Sequence, residues 1–315
     1  MSFTSEVKEE LCRVAPICSH CDRALLAALV RSEGSLLLSG GGRCRIEVAT
    51  DSPSVARTIV RLMHGIYQLR TESTVRRSVL HKTPNYLINI PDQAGLREAL
   101  SDMGILEEDG LVAGIQSRLV DKRCCAAAYL RGFFMGSGFI ANPKGDFHFE
   151  ITVETEELAN HLVELMGARG ITARIMQRRN SFVVYLKSGT AISEFLALVG
   201  AHQCALAMEN ERVIKSVRND VNRRVNAEIA NQQKATDASM EQIMQIRFVV
   251  DSYGLEKLPA GLQEFARLRV AHPDATLKEL GELANPPISK SAIYHRVRRI
   301  EQMATEAGYV SHQQQ

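Results

Sequence analysis

The chain has 315 residues, of which 45% are hydrophobic and 23% are charged, as in soluble globular proteins. Its 38 basic and 36 acidic residues leave a formal net charge of +2, too small to indicate a nucleic-acid partner, and no apolar run is as long as a membrane span. These values disfavour a membrane protein, and the length predicts a larger and a smaller domain.

The N-terminal segment, MSFTSEVKEELCRV, mixes acids with bases and has no apolar stretch followed by small residues. A secretory signal needs such a stretch, so we expect the protein to stay in the cytoplasm. The seven cysteines form an odd number and lack the regular spacing of a disulfide framework. Reduced thiols are therefore expected.

Four residues near the N-terminus have the chemistry of ligands for zinc or an iron–sulfur group: Cys12, Cys18, His20 and Cys21. Only Cys18 and Cys21 have the Cys-x-x-Cys spacing of a ligand pair. The sequence has no second closely spaced pair in a similar setting. Cys124 and Cys125 are adjacent, so we expect them to point in different directions on a helix. The sequence favours ordinary buried thiols, and it predicts neither a metal nor a cofactor.

Two segments match at an offset of 104 residues, namely 25–34 (LLAALVRSEG) and 129–138 (YLRGFFMGSG). Each is an apolar helix pattern with small residues on one side, which lets two helix backbones approach closely. Each ends in a glycine, Gly34 or Gly138, where we expect a left-handed residue to stop the helix. The match predicts an internal duplication.

The segments that follow also correspond between the two copies. Hairpin turns are predicted at 39–42 and 142–145, strands at 45–49 and 148–152, helix starts at 51–53 and 155–157, and second hairpins at 73–80 with 86–90 and 173–179 with 182–186. A third helix closes each copy. The predicted unit is α-β-β-α-β-β-α.

This duplicated unit resembles the LAGLIDADG homing endonucleases in their single-chain form. The resemblance implies a carboxylate before each terminal glycine, with the two carboxylates holding divalent metal for phosphodiester cleavage. The first copy has Glu33 there, but the second has Ser137, a poor ligand for magnesium, and the motif's other acidic position is Arg31 or Met135. We therefore predict a scaffold without nuclease activity. A metal-dependent endonuclease that uses Glu33 and another acid is the alternative.

Basic residues gather on the predicted second hairpins, and residues 169–187 contain five bases and no acid. Arg174, Arg178 and Arg179 are candidate phosphate contacts, as are Arg76 and Arg77 in the first copy. Solvated bases that protect a sheet edge are the alternative.

After the second copy, residues 208–234 are polar, with valine or isoleucine at every fourth position from Val213 to Ile229. This pattern predicts a helical connector. The asparagine-rich part, residues 219–231 (NDVNRRVNAEIAN), lies between a LAGLIDADG pair and a helical C-terminus and is similar to the WhiA family. That resemblance covers nearly the whole chain.

The remaining sequence predicts four helices, at 236–252, 260–271, 276–284 and 290–307, with prolines at the boundaries. The last two are separated only by residues 285–289 (NPPIS), and Ser289 is a suitable N-cap. This arrangement is typical of a helix-turn-helix.

In the last helix, Ile293, Val297, Ile300 and Ala304 have the spacing of a core face. The opposite face carries the residues predicted to bind DNA: Ser289, Lys290, Ser291, Tyr294, His295, Arg298 and Arg299. The early residues would read base edges and the later bases would contact phosphates. A basic solvated face on an ordinary helical bundle is the alternative.

The predicted fold class is α+β: a tandem LAGLIDADG-like domain (1–201, repeats 22–104 and 122–200), a connector (202–235) and an all-α helix-turn-helix domain (236–310). The resemblance implies a nucleoid-associated regulator of transcription that binds double-stranded DNA in cell division, chromosome segregation and, in filamentous actinobacteria, sporulation. It also implies RNA polymerase and a WhiB-like iron–sulfur protein as partners. An adaptor whose large domain mainly binds another protein remains a third interpretation.

Overall fold

A computed structural model of the chain describes residues 2–40, 43–77, 84–108 and 110–310. The chain divides into two compact units, Met1–Ser216 and Val217–Gln315. Among the described helices, none combines the length and the apolar character needed to cross a bilayer.

Unit 1 contains the two predicted copies. After helix α1 (Phe3–Leu11), the first copy consists of α2 (Ser19–Glu33), β1 (Gly34–Ser39), β2 (Arg43–Thr50), α3 (Pro53–Tyr67), β3 (Glu72–Arg77), β4 (Pro84–Ile90) and α4 (Leu96–Asp102). A small hairpin follows, β5 (Leu106–Glu107) with β6 (Gly110–Leu111). The second copy consists of α5 (Arg123–Ser137), β7 (Gly138–Ile140), β8 (Phe149–Val153), α6 (Glu156–Gly167), β9 (Arg174–Arg178), β10 (Ser181–Leu186) and α7 (Gly189–Val199).

Each copy forms one antiparallel four-stranded sheet, in the order β1-β2-β4-β3 and β7-β8-β10-β9. The predicted α-β-β-α-β-β-α unit is thereby confirmed in both copies. The predicted helix starts are also correct, because the side chains of Ser52 and Thr155 cap α3 and α6. Residues 41–42 of the first turn and 78–80 of the predicted strand 73–80 lie outside the described residues.

Helices α2 and α5 pack against each other through small residues in the centre of unit 1. A Cβ atom on Gly132 would lie 2.5 Å from the carbonyl oxygen of Leu25 and 2.6 Å from Cβ of Ala28. A Cβ on Gly136 would overlap the side chain of Ser32. The close approach predicted from the small residues is therefore present.

The expectation of left-handed glycines at the helix ends was wrong. Gly34 and Gly138 have extended backbones, with φ −88° and −78°, because in each copy the backbone passes straight from the helix into a strand. Glycine is needed there for space: a Cβ on Gly34 would lie 2.2 Å from the carbonyl oxygen of Val30, and one on Gly138 would lie 2.4 Å from that of Phe134.

The connector and the first predicted C-terminal helix form one element, α8 (His202–Tyr253), where separate segments at 202–235 and 236–252 were predicted. The physical reason is that no proline or glycine occurs in this range to interrupt the helix. All residues from 216 to 238 are exposed, including Val217, Val221 and Val225.

Unit 2 is completed by α9 (Ala260–Ala271), α10 (Leu277–Leu283) and α11 (Lys290–Glu306). Its core is formed by the C-terminal part of α8 and by all three shorter helices, and Phe265 at its centre is fully buried. This small hydrophobic core holds the break between α10 and α11 in place.

Candidate nucleic-acid interface

The turn between α10 and α11 is tight and well capped. The backbone N–H of Ile288 donates a 2.9 Å hydrogen bond to the carbonyl oxygen of Gly281, and a Cβ on Gly281 would lie 2.4 Å from the carbonyl oxygen of Ile288. Thr276 and Glu279 form a capping box at the start of α10. Ser289 caps α11 by accepting a 3.2 Å hydrogen bond from the N–H of Ala292, which confirms the predicted N-cap.

Glu264 on α9 ties both parts of this turn to the rest of unit 2. Its carboxylate accepts a 2.7 Å hydrogen bond from the backbone N–H of Asn285 and pairs at 2.8 Å with the guanidinium of Arg296. The hydrogen bond from Asn285, followed by that from Arg296, lowers the pKa of Glu264 below its ordinary value. This carboxylate therefore fixes the start of α11 as a charged group, a role that the sequence did not reveal.

The two faces of α11 are separated as predicted. Ile293, Val297, Ile300 and Ala304 are buried in the core of unit 2. Every residue predicted to bind DNA is exposed: Ser289, Lys290, Ser291, Tyr294, His295, Arg298 and Arg299. We call this set the α11 face.

Local contacts order the basic end of the α11 face. Arg298 pairs with Glu301 at 2.9 Å, and its guanidinium lies 6.0 Å from the ring centre of Tyr294. Arg299 donates a 2.9 Å hydrogen bond to the side chain of Gln302. Gln302 is exposed and Glu301 is partly exposed, so a phosphate can replace them at low cost.

The second sheet presents a smaller basic surface. Arg174 and Arg178 lie on the same face of β9, because they are four residues apart, and Arg179 lies in the following turn with φ 54°. All three are exposed, but Arg178 lies 3.6 Å from the carboxylate of Glu150. This acid offsets part of the positive charge. In the first sheet Arg76 is exposed, whereas the side chain of Arg77 lies outside the described residues.

Glu33 and Ser137 are the last residues of the paired helices α2 and α5. The buried ammonium of Lys8, from α1, donates a 2.7 Å hydrogen bond to the carbonyl oxygen of Gly136. Burial lowers the pKa of Lys8, while Asp51 and Glu33 raise it. Burial raises the pKa of Glu33, Lys8 lowers it and Asp51 raises it.

These helix ends do not fit the metal ions of a LAGLIDADG nuclease. A hard divalent cation needs several carboxylate oxygens, but Ser137 offers a neutral hydroxyl and Lys8 brings a positive charge beside Glu33. The Ser137 hydroxyl is buried without a hydrogen-bond partner among the described residues. Lys8 was missed from the sequence because α1 is distant along the chain from α5.

The cysteines are arranged differently from the sequence prediction. Cys124 and Cys125 were expected to point in different directions, but both lie close to one partner. The Sγ atom of Cys18 is 3.7 Å from that of Cys124 and 3.6 Å from that of Cys125. Cys21 belongs to the same group. The packing of α2 against α5 brings Cys18, at the N-cap of α2, within reach of both. Cys12 is half-buried elsewhere, near Thr58.

Three family models match the chain. The WhiA N-terminal LAGLIDADG-like domain matches residues 19–106, the WhiA LAGLIDADG-like domain matches 126–218, and the WhiA C-terminal HTH domain matches 221–304. These models together cover most of the sequence and correspond to the two copies and to the helix-turn-helix.

Relatives named probable cell division protein WhiA are similar over nearly the full length. The protein from Heliobacterium modesticaldum is 44% identical over 306 residues, covering 96% of both chains. That from Symbiobacterium thermophilum is 43% identical over 306 residues, covering 96% of this chain and 98% of its own. The crystal structure of full-length DUF199/WhiA from Thermatoga maritima shares 26% identity and a TM-score of 0.60, covering 98% of this chain and all of that one.

Proposed function

This chain belongs to the WhiA family, and on that premise we propose that it is a sequence-specific regulator of transcription that binds double-stranded DNA and does not cleave it. The helix-turn-helix domain and the names of the relatives support a DNA-binding role in cell division. Control of transcription, chromosome segregation and, in a sporulating host, sporulation are the finer parts of this proposal.

The observation that carries the proposal is the α11 face. One side of α11 is fixed in the core, and its other side presents polar residues at the N-terminal end and two arginines about two turns later. A helix with this arrangement fits the major groove, where Lys290, Ser291 and Tyr294 reach base edges. Arg298 and Arg299 then contact the phosphates that position the helix.

The proposal of DNA binding without cleavage rests on the ends of α2 and α5. One carboxylate is missing at Ser137, and the ammonium of Lys8 provides a positive charge beside Glu33. Such a site disfavours magnesium by repulsion as well as by lack of ligands. The basic surface of Arg174, Arg178 and Arg179 contributes nonspecific phosphate contacts.

The α11 face is tested by replacing Arg298 and Arg299 with alanine in the full chain. Binding sites are first mapped across the genome, and a bound duplex is then titrated by fluorescence anisotropy over a range of salt concentrations. We expect weaker binding and a salt slope that falls by about one for each lost phosphate contact. Arg267→Ala is the matched control, because Arg267 is an exposed arginine on α9 that pairs with Glu256. Equal affinity and slope for the double variant and the control would contradict the proposal.

From the family resemblance we also propose RNA polymerase and a WhiB-like iron–sulfur protein as partners. Copurification with the tagged full chain, with and without nuclease treatment, separates direct contacts from those bridged by DNA. If unit 1 is the contact surface, the Arg298→Ala, Arg299→Ala variant retains the partners after nuclease treatment. Partners that disappear with the DNA would exclude this part of the proposal.

A further inference from the structure

Four cysteines meet where the two copies of the repeat begin. Cys18 is the N-cap of α2 and Cys21 lies in its first turn, while Cys124 and Cys125 lie in the first turn of α5. Two ligands therefore come from each copy. The group lies at the opposite end of the helix pair from Glu33 and Ser137, about 18 Å along the axis at 1.5 Å per residue.

The distances between the sulfur atoms are those of a single tetrahedral site. The four Sγ atoms lie within 4.8 Å of one another, and Cys18 is 3.5 Å from Cys21, 3.7 Å from Cys124 and 3.6 Å from Cys125. Zinc–sulfur bonds of about 2.3 Å give a tetrahedron with edges of about 3.8 Å. The cysteines thus surround a volume that suits one metal ion.

Other roles for the four thiols fit the distances less well. A disulfide requires sulfur atoms about 2.05 Å apart, and all four cysteines are free. A cluster of several irons has to fit between its cysteine sulfurs and so needs them farther apart. Ordinary core cysteines pack against carbon, whereas these four sulfurs converge on one point.

A metal ion can reach the four sulfur atoms from solvent. Both helices begin at this point, and a helix N-terminus favours negative charge. Cys21 and Cys125 are buried, while Cys18 and Cys124 are half-buried and give access from solvent. His20 lies beside the group, with its Nδ1 atom 3.9 Å from the Cys18 Sγ, and serves as an outer contact.

We propose that Cys18, Cys21, Cys124 and Cys125 bind one structural zinc ion that joins the two repeats. A closed site with four protein ligands has no open position for catalysis, so the metal acts by stabilising the fold. Because ligands come from both copies, the ion holds the starts of α2 and α5 together. This site is separate from the α11 face, and its test is independent of DNA binding.

The test begins with the full-length wild-type chain, purified under reducing conditions without chelator or affinity metal. We expect about one zinc per chain by elemental mass spectrometry, and cobalt(II) exchanged into the site should give the visible bands of tetrahedral thiolate coordination. Removal of the metal should lower the Tm by at least about 5 °C, and added zinc should restore it.

Variants show which residues bind the ion. Cys18→Ser is expected to reduce the zinc content at least about tenfold. Cys12→Ser and His20→Ala are matched controls, because both residues lie near the same segment but outside the group of four sulfurs. Both controls should retain about one zinc per chain.

Three results would overturn the proposal. Wild-type protein with less than about a tenth of a zinc per chain and no cobalt bands would exclude the site. Iron in place of zinc would refute the assignment of the metal. Loss of zinc in Cys12→Ser but not in Cys18→Ser would refute the ligands.

Discussion

The ammonium of Lys8 donates a 2.7 Å hydrogen bond to the carbonyl oxygen of Gly136, one residue before the end of α5. A helix C-terminus carries free carbonyl groups and a partial negative charge, so a buried cation is stabilised there. Glu33 at the end of α2 contributes further attraction. The side chain of Lys8 thus supplies, from within the protein, positive charge at the paired helix ends.

Restoring the missing acid with Ser137→Asp should not produce a nuclease. The new carboxylate would lie beside the ammonium of Lys8 and pair with it, which leaves it unavailable to magnesium. We expect supercoiled plasmid to remain intact with magnesium or manganese, as with the wild-type chain. Metal-dependent nicking by Ser137→Asp would refute this account of the helix ends.

Removing the lysine charge with Lys8→Met should raise the pKa of Glu33 further. Burial already raises this pKa and Lys8 opposes the shift, so its loss leaves burial and Asp51 acting alone. An acid whose pKa is raised by folding adds stability at pH values below its ordinary, unfolded-state pKa. This stability is lost as the pH rises through the pKa of the folded state. The loss should therefore occur at higher pH in the variant. NMR titration of the Glu33 carboxyl carbon measures the shift; Lys8→Arg keeps the charge and should leave the titration close to wild type.

Gly132→Ala should destabilise unit 1 by roughly 1–3 kcal/mol. The added methyl group would collide with the backbone of Leu25 and with Ala28, so α2 and α5 would have to separate. Gly65→Ala is the matched control, because Gly65 is exposed within α3 and a Cβ there meets nothing within 4 Å. The control should be neutral or more stable by up to about 1 kcal/mol. Urea unfolding of both full-length variants makes the comparison, and equal stabilities would contradict the tight packing.

Glu264→Gln should weaken unit 2 by about 1 kcal/mol at neutral pH, because the charged hydrogen bonds to Asn285 and Arg296 are lost. The pKa of Glu264 is lowered in the folded chain. The charged carboxylate therefore stabilises the fold at pH values above its ordinary, unfolded-state pKa, and this stabilisation is lost as the pH falls through the pKa of the folded state. Wild type and variant should therefore converge in acid. Unfolding of the full chain over a pH series tests this, with the exposed Glu282→Gln as control. A stability difference between wild type and Glu264→Gln that persists in acid would indicate that Glu264 acts through its packing and not through its charge.

The local features of the fold could be predicted from the sequence. The helix caps at Ser52, Thr155 and Ser289 each depend on residues three positions apart. The spacing of Ile293 to Ala304 determines which side of α11 is buried. The duplication made both sheets predictable, because each copy supported the assignment of the other.

The features that were missed depend on residues far apart in the chain. Lys8 and Gly136 are 128 positions apart, and Cys18 and Cys125 are 107 apart. Spacing within one segment contains no information about such contacts. For the cysteines, treating α5 alone suggested that adjacent side chains diverge, whereas the close approach of α2 places Cys18 within reach of both.

The presence of both copies in one polypeptide has a consequence for what can be built at their junction. In a symmetric pair of identical subunits, every substitution on one side appears on the other. Here the helix beginnings differ, with Cys18 and Cys21 three positions apart in one and Cys124 and Cys125 adjacent in the other. The helix endings also differ, as Glu33 and Ser137. Because the two copies are covalently linked, their sequences can differ. An asymmetric set of side chains can therefore meet at the pseudo-twofold axis that relates the copies.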